Sequence, residues 1–274
     1  SDAKETPMDM TTTLVDHTFR KDVRRCFERQ TFAIPARWLY DRRGSELFEE
    51  ITELPEYYPT RTETKLLEAN GPAFAAAVGP KRAVIEFGSG SSTKTPHLLK
   101  AIDPAAYVPI DISGEFLEHS ASQLQDEFPD LPILPVEADF MKRVELPKAV
   151  ADMPKLGFFP GSTIGNMIAR TSVDLLRFMR ETLGEGAQLL IGFDRIKDEQ
   201  ILVNAYDDSA GVTAQFSLNL LDRINRELDG NIPVDKFRHV AVWSDIYARI
   251  EIYLEAQEDV EFSIDGAAHA LVEG

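Results

Sequence analysis

Cysteine is nearly absent, Cys26 being the only one in 274 residues. One thiol closes no intrachain disulfide, which leaves a cytoplasmic setting as the default. Cys26 itself reads as an inert packed or surface thiol. Long apolar runs are missing as well. No stretch approaches the roughly 18 consecutive apolar residues of a membrane helix, and no charged-then-apolar leader opens the chain. Residues 1–7 are small and polar and read as a flexible end. Positive charge is in deficit: 29 Lys and Arg against 46 Asp and Glu give a net charge of −17. With the acids spread along the chain, that surface repels phosphate backbones, which excludes nucleic acid as a natural partner. The histidines (His17, His97, His119, His239 and His269) show no metal-ligand spacing, so no metal is expected. With 43% hydrophobic and 27% charged residues the composition is that of a globular protein, and a monomer is the default expectation.

What is present is an alternation of short apolar runs with amphipathic stretches between about residues 82 and 194. That pattern belongs to a parallel α/β sheet covered on both faces. Strands are expected at Ala83–Phe87, 107–112, 133–136, 157–159 and 189–193, with helices clearest at Gly114–Glu127 and 171–183. Before about residue 61 the chain reads as helical and rich in aromatics. After residue 194 helices are expected at 198–206 and 213–228, the second with Phe216, Leu220, Leu221, Ile224 and Leu228 on one stripe. Alternating segments at 240–243 and 249–254 suggest an antiparallel pair. The simplest assembly is a Rossmann-like α/β domain over 62–195 and a second, discontinuous α+β domain made of 1–61 plus 196–274.

The segment Glu86-Phe87-Gly88-Ser89-Gly90-Ser91-Ser92-Thr93-Lys94 leaves a strand and enters a helix. Gly88 and Gly90 allow a close approach that a Cβ would exclude. The third glycine of a dinucleotide-binding turn is lacking, and Thr93 stands there. A two-glycine turn preceded by an acid suits S-adenosylmethionine, which brings a carboxylate, an amine and a ribose but no phosphate. Asp111 ends the next expected strand, 23 residues beyond Gly88, where a carboxylate can accept both ribose hydroxyls. It is also placed to cap the helix that starts near Gly114. Asp139-Phe140 follows the third strand, where an acid and an apolar neighbour can bracket an adenine. An Asp before a helix is a common cap too.

The stretch WLYDRRGSELFEEITELPEYYPTRTE at 38–63 resembles the histidine-specific methyltransferase family, which makes Nα-trimethylhistidine (hercynine) in ergothioneine biosynthesis. EFGSGSSTKT at 86–95, PGSTIGN at 160–166, AYDDSAGVTAQF at 205–216 and RIEIYL at 249–254 agree with it, and the likeness covers about residues 20–256. The resemblance implies a class I methyltransferase sheet and S-adenosylmethionine as co-substrate. It puts Gly88 and Lys94 at the methionine end of that co-substrate, beside Gly90, with Asp111 at the ribose and Asp139 and Phe140 at the adenine. Tyr57, Asn166 and Tyr206 match positions that grip the amino and carboxylate groups of an amino-acid substrate. Tyr40 matches a pocket tyrosine near the reacting end. Ile252 stands where the family usually has Met, on the wall facing the imidazole. The family continues into a Glu-x-Ser element that reads the imidazole, which these 274 residues do not include.

On residues alone, an apolar core for the aromatics around Tyr40 and Tyr57 and a helix cap for Asn166 come first, because aromatic packing is commoner than recognition. The expected activity is α-N-methylation of an amino acid, histidine first, by direct attack of a neutral amine on an activated methyl. Two alternatives stand beside it. One is the same chemistry on another aromatic amino acid or amine such as tryptophan. The other is a non-catalytic S-adenosylmethionine-binding protein.

Overall fold

The computed structural model describes residues 10–28, 32–91 and 93–274. The end at 1–7 and Ser92 of the glycine-rich turn lie outside them. Contacts divide the chain into two compact units. One comprises Ser1–Phe48, Tyr206–Val242 and Ile250–Gly274, the other Glu49–Ala205 and Trp243–Arg249. In chain order the helices are α1 Met10–Glu28, α2 Arg42–Thr52, α3 Tyr58–Ala69, α4 Gly71–Val78, α5 Thr95–Ile102, α6 Gly114–Glu127, α7 Ala169–Leu183, α8 Glu199–Tyr206 and α9 Val212–Glu227. The strands are β1 Ala83–Phe87, β2 Ala106–Asp111, β3 Val136–Glu137, β4 Lys155–Phe159, β5 Gln188–Ile191, β6 Phe237–Ser244, β7 Arg249–Ala256, β8 Val260–Ile264 and β9 Ala267–Leu271.

The unit containing β1 to β5 is a parallel sheet of order β3-β2-β1-β4-β5. Every residue of β1 is buried, as are the first five of β2. Ile85, Phe87, Val108, Ile110 and Phe159 pack into a cluster with α7 residues Leu175, Met179 and Leu183. Val84, Tyr107, Leu156 and Phe158 form a second cluster with Leu98, Leu99 and Ile102 of α5. A sheet buried on both faces needs such near-continuous apolar strands. The crossovers from β1 run one way to β2 and the other way to β4, so the C-terminal ends of β1 and β4 flank a topological switch point. Open α/β sheets bind ligands in that crevice.

The expected strand at 133–136 is corrected here. Only Val136 and Glu137 pair with β2, while Ile133 makes a lone bridge to Tyr107. Pro135 lies between them and has no N–H to give the ladder.

In the other unit the α9 stripe is buried as expected, with Phe216, Leu220, Leu221, Ile224 and Leu228 at 7% exposure or less. Trp38 is buried with Phe19, their ring centroids 5.1 Å apart. A charge packs against both rings. The Arg223 guanidinium lies 4.5 Å from the Phe19 ring and 5.5 Å from that of Trp38, and its Nη1 donates to the Trp38 carbonyl at 2.9 Å. Cys26 is buried, and burial pushes its thiol up to about 11, which keeps it protonated and unreactive. β6 and β7 form one two-stranded sheet, and β8 and β9 an antiparallel hairpin. The hairpin was not anticipated. Its two-residue loop, Asp265-Gly266, has both φ angles positive, at 50° and 75°, as a type I′ turn requires.

Candidate active site

The strand ends of the sheet unit carry most of the candidate residues. β1 stops where Gly88 takes φ 73°, and Gly90 follows at φ 52°, a region that L-residues with a Cβ avoid. The amides of Gly88 and Ser89 both donate to the Ile110 carbonyl, at 2.8 and 3.1 Å, which ties the turn to the end of β2. The Phe140 ring closes over the same turn. A Cβ on Gly88 would sit 3.1 Å from its Cε1 atom. Phe140 is held edge-on against Phe159 and Phe87, with centroids 5.8 and 6.5 Å away.

Asp111 ends β2 as the sequence suggested. Its Oδ2 accepts from the Gly90 amide at 2.9 Å and its Oδ1 from the Ser113 amide at 3.1 Å. Burial raises its pKa above the ordinary carboxylate range, and the amides of Gly90, Ser113 and Ile112 oppose that shift. Each carboxylate oxygen has two lone-pair sites, so acceptor capacity remains for two hydroxyls. Asp139 accepts from the Met141 amide at 3.0 Å through Oδ1, which closes a local turn beside Phe140.

Beneath the turn lies Glu86, 2% exposed. Its Oε2 accepts from Tyr107 Oη at 2.5 Å and Thr95 Oγ1 at 2.7 Å. Burial lifts its pKa to about 7, with the two hydroxyls and the Lys94 charge pulling the other way. Lys94 is itself ion-paired with Glu63 of α3. Glu49, at the end of its own helix nearest the turn in sequence, has a raised pKa, again from burial, partly offset by the Ser91 hydroxyl.

Beyond β4, Gly161 at φ 83° and Ser162 at φ 56° reverse the chain into a 3-10 turn, Thr163–Asn166. Asn166 is exposed at the end of that turn. The N-cap of α7 is Ile168, without a side-chain cap bond, so Asn166 does not cap the helix. Ser162 Oγ accepts from the Asp194 amide at 2.9 Å. Asp194 in turn bonds Tyr58 Oη and, at 2.6 Å, Lys197 Nζ. Tyr57, at the N-cap of α3, is buried at 6% exposure.

Tyr40, Tyr206 and Ile252 belong to the other unit. Tyr40 packs edge-on against Phe48 and Phe216, with centroids 5.5 and 5.3 Å away. Tyr206 ends α8, and its carbonyl is 2.7 Å from His239 Nε2, whose Nδ1 lies 3.1 Å from Ser217 Oγ. A carbonyl only accepts, so Nε2 carries a proton. Ile252 is 45% exposed on β7. Glu63 and the Tyr58–Asp194–Lys197 group escaped the sequence reading, although Thr62-Glu63 closes the first of the similar blocks.

Among the described residues no group of three or more His, Cys, Asp or Glu is placed to hold a metal ion, and no helix is long and apolar enough to cross a membrane. The donor set fits S-adenosylmethionine: a two-glycine turn open to close approach, a strand-end carboxylate with spare acceptor sites, and an aromatic ring beside an acid. A parallel sheet of this order with that set at its switch point defines an S-adenosylmethionine-dependent methyltransferase of the class I, Rossmann-like type. Comparison with known proteins narrows this. Residues 19–274 match the family described as histidine-specific methyltransferase, S-adenosylmethionine-dependent, and the chain belongs to that family. It is 40% identical over 242 residues to histidine N-alpha-methyltransferase of Mycolicibacterium smegmatis, covering 87% of this chain and 74% of that one. The same-named protein of Mycobacterium tuberculosis is also 40% identical over 242 residues, with 86% and 74% covered. Ergothioneine biosynthesis protein 1 of Neurospora crassa is 32% identical over 198 residues, which is 70% of this chain and 22% of that protein.

Proposed function

We propose that this chain transfers methyl groups to the α-amino group of L-histidine, giving Nα-trimethylhistidine by three successive transfers. The observation that carries the reading is Asn166. An exposed amide with no capping duty stands on a turn at the C-terminal end of β4, next in the sheet to the cofactor turn of β1. The identity of 40% to a histidine N-alpha-methyltransferase supports the substrate.

S-Adenosylmethionine supplies, when bound, a methyl on a sulfonium that is already a good leaving group. What the protein adds is therefore mostly positioning. Asp111 accepts from the ribose hydroxyls. Lys94 faces the carboxylate of the methionine end, beside Gly88 and Gly90. Asp139 and Phe140 bracket the adenine with an acceptor and an apolar edge. Asn166 donates through Nδ2 to the amino acid's carboxylate and accepts through Oδ1 from its amine. The phenols of Tyr57 and Tyr206 add directional donors without charge, and Ile252 offers an apolar wall. The amine attacks only when neutral, and Tyr40 Oη passes its proton toward water. In this reading residues 62–195 bind the cofactor, and 1–61 with 196–274 form the substrate domain. The partner is a small amino acid, and a monomer in the cytoplasm is the expected form.

Asn166→Ala tests the grip. Turnover is expected to be nearly abolished while calorimetric affinity for S-adenosylhomocysteine stays within about twofold, well under the tenfold that 1.4 kcal/mol represents. Full turnover in the folded variant removes Asn166 from the substrate site.

A further inference from the structure

Glu63 lies in the second turn of α3, on a helix face whose sequence reads as an ordinary solvated stripe, yet its side chain is only 17% exposed. Both of its oxygens accept from the Gly161 amide, at 3.0 and 2.9 Å, and Oε2 also takes the Lys94 ammonium. Lys94 is 16% exposed, so neither charge is left to water. Gly192 makes room for the arrangement, and Gly161 brings the chain against it. A Cβ on Gly192, just past β5, would fall 1.8 Å from Glu63 Oε1, and one on Gly161 would fall 3.4 Å from Lys94 Nζ. Four passes of the chain thus meet at one carboxylate: α3, the end of the β1 turn, the start of the β4 turn and the end of β5.

We infer that Glu63 is a positioning residue that aims the Lys94 ammonium at the cofactor turn and pins the turn carrying Asn166, coupling the cofactor and amino-acid halves of the site. The inference rests on the roles proposed above for Lys94 and Asn166. A half-buried ammonium with its stem free to rotate would sample several directions, and a carboxylate fixed by a backbone amide removes that freedom. Because the same carboxylate restrains Gly161 and hence the turn through Thr163–Asn166, its loss is felt at two ligands. Loss of Lys94 is felt at one.

The test is a double-mutant cycle of Glu63→Gln and Lys94→Met in the full chain, with folding verified by circular dichroism. Calorimetric affinity for S-adenosylhomocysteine and KM for histidine are the readouts. Glu63→Gln is expected to weaken S-adenosylhomocysteine about tenfold, the scale of one charge-assisted hydrogen bond, and to raise KM for histidine several-fold. Lys94→Met should weaken only S-adenosylhomocysteine. With Lys94 already replaced, Glu63→Gln should cost the cofactor product less than about twofold more, since coupled residues are non-additive, while histidine KM still rises. The Gly161 amide proton, read by NMR without ligand, should move upfield in Glu63→Gln. A purely structural Glu63 would lower Tm and leave both affinities unmoved, and additive effects on S-adenosylhomocysteine would equally overturn the inference. If Glu63→Gln does not fold, Glu63→Asp keeps the charge but withdraws it by one methylene, with the same cycle and the same outcomes. Failure of the wild type to bind S-adenosylhomocysteine sinks the cofactor reading itself. Wild-type binding with equal affinity in the variant sinks only the role of Glu63.

Discussion

In the sheet unit, candidate residues sit where strands stop, and main-chain amides fix them. Asp111 is held by the amides of Gly90 and Ser113 and Asp139 by that of Met141, while Glu63 reaches the Gly161 amide from helix α3. In the other unit the restraint is side-chain packing around buried charge. Arg223 packs against both Phe19 and Trp38. Asp41 accepts from Asn219 Nδ2 at 2.7 Å, Arg226 Nη2 at 2.6 Å and the Gly44 amide at 2.8 Å. Strand-end chemistry follows from topology and tolerates side-chain movement around it. Packed charge does not, because every partner removed leaves another unsatisfied.

Two glycines, one in each unit, have nearly the same overlap. A Cβ on Gly44 would stand 1.7 Å from the Leu39 carbonyl oxygen, which is backbone, whereas the 1.8 Å neighbour of Gly192 is the end of the Glu63 side chain. Gly44→Ala is expected to cost about 3 kcal/mol or more in urea unfolding, and Gly192→Ala about 2 kcal/mol, since only the Glu63 bonds to Gly161 and Lys94 are given up there. Equal losses would show that the sheet unit is no more tolerant than its partner.

Glu86 supplies an effect of about 3 kcal/mol. Its folded pKa of about 7 lies above the ordinary value of 4.5, so between those values the folded state holds a proton that the unfolded state has released. Stability is therefore present in full below about pH 4.5 and falls as pH rises toward and through 7, by about 3 kcal/mol from this group. Glu86→Gln should flatten the fall between pH 4.5 and 7 in stability measured by denaturant titration. An unchanged slope would mean that Glu86 does not titrate there.

Asp111→Asn is expected to weaken S-adenosylhomocysteine by about 1.5–3 kcal/mol, a factor of roughly ten to a hundred, by calorimetry. Unchanged affinity would take the ribose away from Asp111. The smallest effect belongs to the packed unit: Tyr206→Phe should raise KM for the amino acid by the worth of one hydrogen bond, about 0.5–1.5 kcal/mol. A larger loss would mean that the phenol also holds the end of α8.

The same contrast governs what was legible from residues alone. β1 and α6 have the bounds their apolar runs implied, and Asp111 was found because a strand end, a glycine turn and an acid coincide. Pro135 broke the third strand where apolar content alone suggested four continuous residues. The β8–β9 hairpin was missed although Asp265-Gly266 between two apolar stretches announces it. Glu63 was invisible because a glutamate among Thr, Arg and Lys on a helix looks solvated. Only the chain passes that meet there, with glycines at 161 and 192, reveal it. Tyr40, Tyr206 and Ile252 could be singled out by resemblance alone, since an aromatic packed between Phe48 and Phe216 carries no local mark of function.

Methylation of the histidine α-amine is read directly by product mass. The protein is incubated with S-adenosylmethionine and, separately, histidine, tryptophan and other aromatic amino acids. S-Adenosylhomocysteine together with Nα-trimethylhistidine is the expected result. Methylated tryptophan without methylated histidine, or no methylated product from any of them, would contradict it.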